Sequence, residues 1–277
     1  MIKKSKVTIG LPVRNEIKNI NKVLENIFKQ DLKNFSLIIS DNFSSDGTYE
    51  ICKKWAKKKS QIKLFRQKKE IIRGQNFLFV YKKCKTPYFI WMAADDLRSK
   101  NFLSSNLDFL EKNKNYIASC STNIIEVKPN KKVKKNFSII GDNNSNIKKF
   151  LKNCYYSHGI FYSLFRYQNL GEIEKNIHYF MWDWMFNIFL ITKGNFKRVK
   201  KGFFLTVHGG VSTQHDYITK YKKNFLEAVF PPLIFIFYTL KKMKFFKRDF
   251  LTIIFQLIKL FYVIEKKWIK KIINIKS

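Results

Sequence analysis

The sequence predicts an α/β fold, an α/β/α sandwich, with a basic, aromatic-rich helical appendage at its C-terminal end. From the start to about residue 125, short apolar runs alternate with helix-length stretches, which is typical of a parallel sheet with crossover helices. Polar or acidic side chains directly follow three of these runs. Beyond residue 217, lysines alternate with aromatic and aliphatic clusters, and this change of character marks the appendage.

The alternation places the elements in order. Strands are expected at residues 7–11, 35–40, 62–65, 88–92 and 116–121, and helices at residues 17–29, 48–58, 75–83 and 101–112. The fourth run, Tyr-Phe-Ile-Trp-Met, is bulky and uncharged, as expected of a central strand covered on both faces. Residues 128–146 are rich in Lys and Asn, which is typical of a loop or a weak hairpin.

The formal net charge of +34 limits the partners of this protein. Such a field attracts nucleic acid, anionic lipid or phosphorylated substrates. An AT-rich coding sequence would also enrich lysine together with Ile, Asn and Phe, and surface lysines are usually just solvated. The charge is therefore equally compatible with an anionic partner and with a compositional bias.

The cysteines and the apolar runs indicate the compartment. Four cysteines lie far apart without CxxC spacing, so reduced cytosolic thiols are expected. The first apolar run is too short for a signal peptide. The charge-free stretch at residues 228–240 contains two prolines and falls short of a membrane span. We expect a cytoplasmic protein.

Side chains at the strand ends form the first candidate site. In open α/β sheets, the carboxyl ends of the strands line the ligand crevice. The segment from Pro12 to Glu16 turns polar before a helix, which suits a base or ribose contact. Asp41 follows the second strand, and its carboxylate could accept the imino N–H of a pyrimidine base. Asp46 is better explained as a helix cap.

Two adjacent acids, Asp95 and Asp96, follow the fourth strand. A hard divalent cation takes carboxylate oxygens together with substrate phosphates. The alternative is that one of these acids caps the next helix. The chain lacks GxGxxG after its first strand and lacks a P-loop, so a metal would have to carry the phosphate charge.

Together, the segments at residues 10–16, 40–48 and 93–96 resemble glycosyltransferase family 2, which has the GT-A fold. The resemblance implies transfer of a sugar from a nucleotide diphosphate donor with inversion at the anomeric carbon, assisted by Mg²⁺ or Mn²⁺. It implies a domain over residues 1–217, with a nucleotide half to about 127 and an acceptor half over about 147–217. The implied nucleotide-sugar contacts are Pro12, Asn15, Glu16, Asp41, Asn76 and Asp96.

The resemblance also assigns the metal and the base. Asp95 matches the last acid of the family's DxD-type motif, whose first acid is replaced here by Ala93. His208 lies in a segment that resembles the family's closing loop and would bind metal or phosphate; otherwise it simply packs or hydrogen-bonds. Asp183 is the candidate base at a helix start amid apolar residues, where partial desolvation would raise its proton affinity. The family often has Glu at the position of Trp182, and Asp183 would also suit a helix N-cap.

Two further residues have structural alternatives. Arg166 lies in a segment that resembles the acceptor-side strand and could meet an acidic or phosphorylated acceptor, or it could be structural. Asn76 could support the donor or cap a helix.

The appendage at residues 218–277 is expected to associate with an anionic membrane surface, because its apolar clusters and Trp268 could bury at the headgroup boundary beside lysines. The alternative is a pair of helices packed on the catalytic domain. We therefore expect a peripheral enzyme at the inner face of the cell membrane, with a UDP-sugar donor and a lipid-linked or surface-polysaccharide acceptor. The rivals are a non-catalytic membrane scaffold of the same fold and a basic nucleic-acid-binding protein.

Overall fold

The structure is a computed structural model and describes residues 5–128, 131–134, 137–154, 158–168, 170–206, 230, 232–245 and 247–275. The chain forms two compact units. The sheet unit comprises residues 1–138, 158–170 and 196–211, and the helical unit comprises residues 139–157, 171–195 and 212–277.

The strands and helices alternate through the first half of the chain as expected. The strands are β1 (Val7–Val13), β2 (Phe35–Asp41), β3 (Ile62–Arg66), β4 (Tyr88–Trp91), β5 (Asp96–Arg98), β6 (Tyr116–Lys128), β7 (Lys131–Lys134), β8 (Leu164–Arg166) and β9 (Asn195–Thr206). The helices are α1 (Ile20–Phe28), α2 (Thr48–Lys58), α3 (Arg73–Lys82), α4 (Phe102–Lys112), α5 (Asn143–Lys152), α6 (His158–Phe161), α7 (Gly171–Glu174), α8 (Trp182–Lys193), α9 (Leu233–Lys242) and α10 (Phe250–Ile275).

One mixed sheet organises the sheet unit, with the strand order β3-β2-β1-β4-β8-β6-β9-β5 and β7 paired to β6. The strands β3, β2, β1 and β4 are parallel, which confirms the predicted parallel sheet. The pairs of β8 with β4 and with β6, and of β5 with β9, are antiparallel. Within the predicted loop or weak hairpin at residues 128–146, β7 pairs with the end of β6, but α5 begins at Asn143.

The core lies around β1 and β4. Every residue of both strands is buried, so the apolar run at residues 88–91 is the covered central strand that its composition predicts. Gly10 permits this packing, because a Cβ at this position would lie 2.5 Å from Phe89 Cζ and 2.8 Å from Val80 Cγ2. The close approach holds α3 against the strands whose ends carry the site.

The helical unit is built from α5, α7, α8, α9 and α10. Helix α8 packs against α5, α7 and α9, and α10 packs against α5. Trp184 makes edge contacts with the rings of Phe150 and Phe235. This division differs from the predicted boundary after residue 217, because α5 and α8 bury their apolar faces with the C-terminal helices. None of the helices in the described ranges is long and apolar enough to cross a membrane.

Candidate active site

The carboxyl ends of β1, β2 and β3 bring the predicted nucleotide residues to one edge of the sheet. Strand β1 lies between β2 and β4, and the chain passes to opposite sides of it, so the ligand crevice is expected here. In the register of the sheet, Val13 lies beside Asp41 and Asp41 lies beside Arg66.

Asp41 is fully buried, and its two oxygens have different partners. Oδ2 accepts the backbone N–H of Ser44 at 3.0 Å and lies 3.6 Å from Nε of Arg66. Oδ1 is buried and has no hydrogen-bond partner among the described residues. An unsatisfied buried acceptor costs about 1–3 kcal/mol, so this oxygen is a strong candidate for contact with a ligand donor.

The guanidinium of Arg66 sits among aromatic rings. Its Cζ lies 4.5 Å from the ring centroid of Tyr49 and 5.8 Å from that of Phe43, and its Nη2 donates to the carbonyl of Ser44 at 3.0 Å. Phe43 has φ +60°, a left-handed conformation that is uncommon for a bulky residue, and its side chain is 50% exposed. The site therefore presents an exposed ring beside a buried carboxylate.

Hydrogen bonds join the loop after β1 to the loop after β2. Asn15 donates its backbone N–H to Ser44 Oγ at 3.0 Å and accepts the N–H of Ser45 at Oδ1, also at 3.0 Å. The N–H of Glu16 donates to Thr48 Oγ1 at 2.8 Å. These hydrogen bonds hold the two loops together. Asn15 occupies a left-handed conformation with φ +51°.

Glu16 is electrostatically linked to Asp95. Burial raises the pKa of Glu16 above its usual value, and the negative charge of Asp95 raises it further, while a hydrogen bond from Asn19 opposes both. The acids that follow β1 and β4 therefore lie close enough to interact, as expected for a shared edge of the sheet.

Asn76 and Pro12 support the strand ends. The Asn76 amide accepts from Ser40 Oγ at 2.6 Å and donates to the Ser40 carbonyl at 3.0 Å. Asn76 lies in the first turn of α3 and is 3% exposed, so these contacts give it a supporting role beside Asp41. The capping contact belongs to Gln75, which accepts the N–H of Ile72. Pro12 is buried within β1.

Asp95 and Asp96 differ in environment, and neither caps a helix. Asp95 is half-buried in a turn, whereas Asp96 is buried and begins β5. The helix-cap alternative is therefore wrong, because the residues after this pair form a strand that pairs with β9. Asp96 Oδ2 lies 3.8 Å from Nη2 of the buried Arg98.

Burial sets the protonation of this pair. It raises the pKa of Asp96 to about 7; the charge of Arg98 opposes the shift and that of Asp95 adds to it. Burial also lowers the pKa of Arg98, and the charge of Asp96 opposes that shift. Asp95, which is half-buried, is the more accessible of the two acids for a cation.

The described residues do not contain a complete metal cage. No group of three or more His, Cys, Asp or Glu side chains in the described ranges could hold a metal ion. One carboxylate of Asp95 with Glu16 nearby fits a cation that takes its remaining ligands from a diphosphate and water, which is how Mg²⁺ is commonly held. His208, the other predicted ligand, lies outside the described residues.

Asp183 belongs to the helical unit. It is half-buried in the first turn of α8, and Met181 with φ +63° occupies the N-cap position, so the alternative of Asp183 as the helix N-cap is wrong. Its neighbour Trp182 is buried.

Arg166 braces the sheet unit. Its Nε donates to the carbonyl of Tyr116 at 3.1 Å, its Nη1 to the hydroxyl of Tyr88 at 2.9 Å and its Nη2 to the carbonyl of Leu110 at 2.5 Å. These bonds match the structural alternative rather than an acceptor contact.

Sequence reasoning missed Arg66, Phe43 and Arg98. The signal for Arg66 was its place directly after the third predicted strand, level with Asp41 on the neighbouring strand. Phe43 stands between polar residues of the 40–48 segment, where a bulky apolar side chain needs a reason. Nothing in the local sequence indicates that Arg98 is buried.

Known proteins resemble this chain in sequence. A family model described as Glycosyl transferase family 2 matches residues 8–173. The chain is 30% identical over 112 residues to the putative glycosyltransferase EpsE of Bacillus subtilis (strain 168), covering 40% of each chain. It is 32% identical over 108 residues to a Methanococcus voltae protein, covering 37% of this chain and 33% of that one. That relative is named dolichyl N-acetyl-alpha-D-glucosaminyl phosphate 3-beta-D-2,3-diacetamido-2,3-dideoxy-beta-D-glucuronosyltransferase. The chain spans less than half the length of these curated relatives.

Solved structures share the fold. S. aureus TarS 1-349 in complex with UDP-GlcNAc aligns with a TM-score of 0.57 at 16% identity, covering 79% of this chain and 61% of that one. The mannosyltransferase PcManGT from Pyrobaculum calidifontis, in complex with GDP-Man and Mn²⁺, aligns with a TM-score of 0.51 at 13% identity, covering 79% and 64%. These likenesses confirm the GT-A-type α/β fold. Because the family model covers more than half of the sequence, the chain belongs to glycosyl transferase family 2.

Proposed function

We propose that this protein transfers a sugar from a UDP-sugar to a hydroxyl group of a lipid-linked or surface-polysaccharide acceptor, with inversion and with the help of Mg²⁺ or Mn²⁺. The observation that carries the proposal is the buried, half-satisfied carboxylate of Asp41 at the carboxyl edge of the parallel strands. Family membership supports the reaction type, and the strand-end acids support the donor class.

The two oxygens of Asp41 favour uracil over guanine. Oδ2 already accepts from Ser44 and faces Arg66, which leaves Oδ1 for a base. Uracil offers one imino N–H between two carbonyl oxygens, so a single acceptor oxygen with a nearby guanidinium complements it. Guanine offers two adjacent N–H donors on the same edge, and the second would compete with Ser44 and Arg66 for Oδ2. Both nucleobases occur among the solved structures that share the fold, one in complex with UDP-GlcNAc and another with GDP-Man.

The diphosphate side of the site would rest on Asp95. This carboxylate would supply one oxygen to the cation, and Glu16 would lie next to it. When bound, the divalent cation would stabilise the negative charge on the departing diphosphate. Asp96 would hold the loop beside the donor through its contact with Arg98.

Asp183 is proposed as the base that removes the proton of the acceptor hydroxyl as this oxygen attacks the anomeric carbon. Its support is the family resemblance and its place in the first turn of α8. The lipid-linked acceptor is proposed because the name of the M. voltae relative contains a dolichyl phosphate sugar. Such an acceptor would place the protein peripherally at the inner face of the cell membrane.

A donor panel tests the proposal. The purified full chain would be incubated with Mn²⁺ and UDP-, GDP- or dTDP-sugars, and release of the nucleoside diphosphate would be measured with and without lipid-phosphate acceptors. We expect turnover with a UDP-sugar and at least about a hundredfold loss in Asp183→Asn, because a general base contributes roughly 10²–10⁴-fold. Asp108→Asn, a change of an exposed acid on α4, is the control.

Three results would contradict parts of the proposal. Turnover with GDP-sugars alone would refute the assignment of uracil as the nucleobase of the donor. Full activity of Asp183→Asn would refute the role of Asp183 as the catalytic base. Donor binding with no turnover on any acceptor would favour the non-catalytic scaffold, for which Ala93 and Trp182 are the sequence arguments.

A further inference from the structure

The C-terminal helix α10 carries apolar side chains on two opposite faces. The buried set is Ile253, Leu257, Leu260 and Ile264. The exposed set is Leu251, Phe255, Ile258 and Tyr262, whose exposures are 79%, 68%, 62% and 64%. Each set recurs at spacings of four, three and four residues and so forms a stripe along the helix, and the offset of two residues places the stripes on opposite sides. We call the second set the exposed stripe.

The buried face anchors the helix within the helical unit. Helix α10 packs against α5, and Asp249 at its N-terminal end accepts from Ser145 Oγ at 2.9 Å and from Lys148 Nζ at 2.7 Å. The amide of Asn144 donates to the carbonyls of Lys244 and Arg248 at 2.8 and 3.1 Å. These contacts hold the helix in place through its buried face and its N-terminal end. Internal packing therefore does not explain the apolar side chains of the exposed stripe.

The exposed stripe is the strongest concentration of exposed apolar surface in the described part of the chain. Its four members are the most exposed of the large hydrophobic side chains there. Contiguous apolar surface of this kind marks an interaction site, whereas single exposed apolar residues do not.

The charges beside the exposed stripe indicate the partner. Lys259 and Lys266 are exposed on the same side of α10, and Lys266 Nζ lies 5.9 Å from the ring of Tyr262. Glu265, the single acid in the sequence of this helix, is only partly exposed. Residues 241–277 contain eleven Lys or Arg and two acids. Apolar residues framed by lysines suit the boundary of a bilayer that contains anionic lipid.

We propose that the exposed stripe of α10 docks into the headgroup boundary of an anionic bilayer, with Lys259 and Lys266 against the lipid phosphates. A second copy of the chain fits this face poorly. Pairing through the stripe would bring the lysines of two proteins together, each with a net charge of +34, and no exposed acid on the described face of α10 compensates them. The docking surface does not depend on which sugar the protein transfers.

Vesicle sedimentation tests this docking. The full chain would be mixed with vesicles of phosphatidylcholine alone or with phosphatidylglycerol added. We expect binding to the mixed vesicles, at least tenfold weaker binding when all four stripe residues are changed to Ser, and weaker binding with Lys259→Gln plus Lys266→Gln. Ile17→Ser, which removes an exposed apolar side chain of the sheet unit, is the control and should bind like the wild type. Circular dichroism checks folding, and Phe255→Ser alone keeps the test available if the fourfold variant fails to fold.

Two outcomes would overturn the inference. Wild type and stripe variants could bind mixed vesicles equally. Alternatively, velocity sedimentation without lipid could show a dimer that the stripe variants lose, which would assign the face to a second copy. UDP binding measured on the same variants separates this result from the proposed function, since the stripe variants should bind UDP as the wild type does.

Discussion

Asp41 and Arg66 form an ion pair at the carboxyl edge of β2 and β3, with 3.6 Å between Asp41 Oδ2 and Arg66 Nε. The register of the parallel strands places the two residues side by side. The carboxylate is fully buried, and the guanidinium side chain is 39% exposed. Together with the N–H of Ser44, Arg66 occupies Oδ2 and leaves Oδ1 for a ligand.

Replacing Arg66 should weaken uridine nucleotide binding. In Arg66→Met, Asp41 keeps its burial but loses the positive charge that compensates it, so the carboxylate is held less firmly as an acceptor. We expect the dissociation constant for UDP to rise by about tenfold, the equivalent of about 1.4 kcal/mol. Calorimetry would measure this. Lys63→Met on the same strand is the matched control, and equal weakening in both variants would show a general charge effect instead.

Asp95 should control the metal dependence. With Asp95→Asn, we expect the Mn²⁺ concentration that half-activates donor turnover to rise by at least about tenfold, because even residues that only support metal ligands commonly contribute that much to metal affinity. UDP binding without metal should stay unchanged. A Mn²⁺ titration of both proteins measures the shift, with Asp108→Asn as control. An identical Mn²⁺ dependence would remove Asp95 from the metal site.

Asp96 should make the stability of the protein depend on pH. Its pKa is raised from 3.8 to about 7 in the folded protein. Between these values the folded state holds a proton that the unfolded chain has lost, so the contribution of Asp96 to stability falls as the pH rises through this window. Asp96→Asn has no carboxyl proton to lose at this position, so we expect its stability not to fall in this way. The difference in free energy of unfolding between the variant and the wild type should therefore shift in favour of the variant by about 1–3 kcal/mol from pH 5 to pH 8.

Urea unfolding of both proteins at the two pH values measures this difference. Asp108→Asn should follow the wild type. If Asp96→Asn and the wild type lose stability in parallel over this range, the raised pKa is not a property of the folded protein.

The buried Arg198 should require a glycine at position 159. A Cβ at residue 159 would lie 2.0 Å from Arg198 Nη1, and Arg198 is held by the carbonyls of Phe137 and Ser121. Ala normally stabilises a helix relative to Gly, yet we expect Gly159→Ala in α6 to destabilise the protein by about 1–3 kcal/mol through overpacking. A double-mutant cycle of Gly159→Ala and Arg198→Met, measured by thermal unfolding, should show strong coupling between the two residues. Additive effects would mean that the guanidinium moves aside easily.

The parallel half of the fold was predictable from the sequence, because its apolar runs and helical stretches are local signals. The strand ends followed from them, and so did the placement of Asp41 and Asp95 at one edge. The pairing of Asp41 with Arg66 was not predictable, since it depends on the register between β2 and β3. Register reflects the packing of the whole sheet rather than the local pattern.

The antiparallel half depends on distant partners. A helix cap was the alternative for Asp95 or Asp96, but the backbone of Asp96 pairs with Thr206 on β9, more than a hundred residues later. The N-cap alternative for Asp183 fails for a similar reason, because Met181 in a left-handed conformation occupies the N-cap position of α8. The burial of Arg98 and Arg198 follows only from tertiary packing.

The most direct test of the central claim is a calorimetric titration of the wild type and Asp41→Asn with UDP and with GDP in the presence of Mn²⁺. We expect UDP to bind more tightly than GDP, and Asp41→Asn to weaken UDP binding by about 10- to 100-fold through loss of a hydrogen bond to a charged acceptor. Asp108→Asn should leave UDP binding unchanged. Equal affinity of the wild type for UDP and GDP, or undiminished UDP binding by Asp41→Asn, would contradict a uridine site at Asp41.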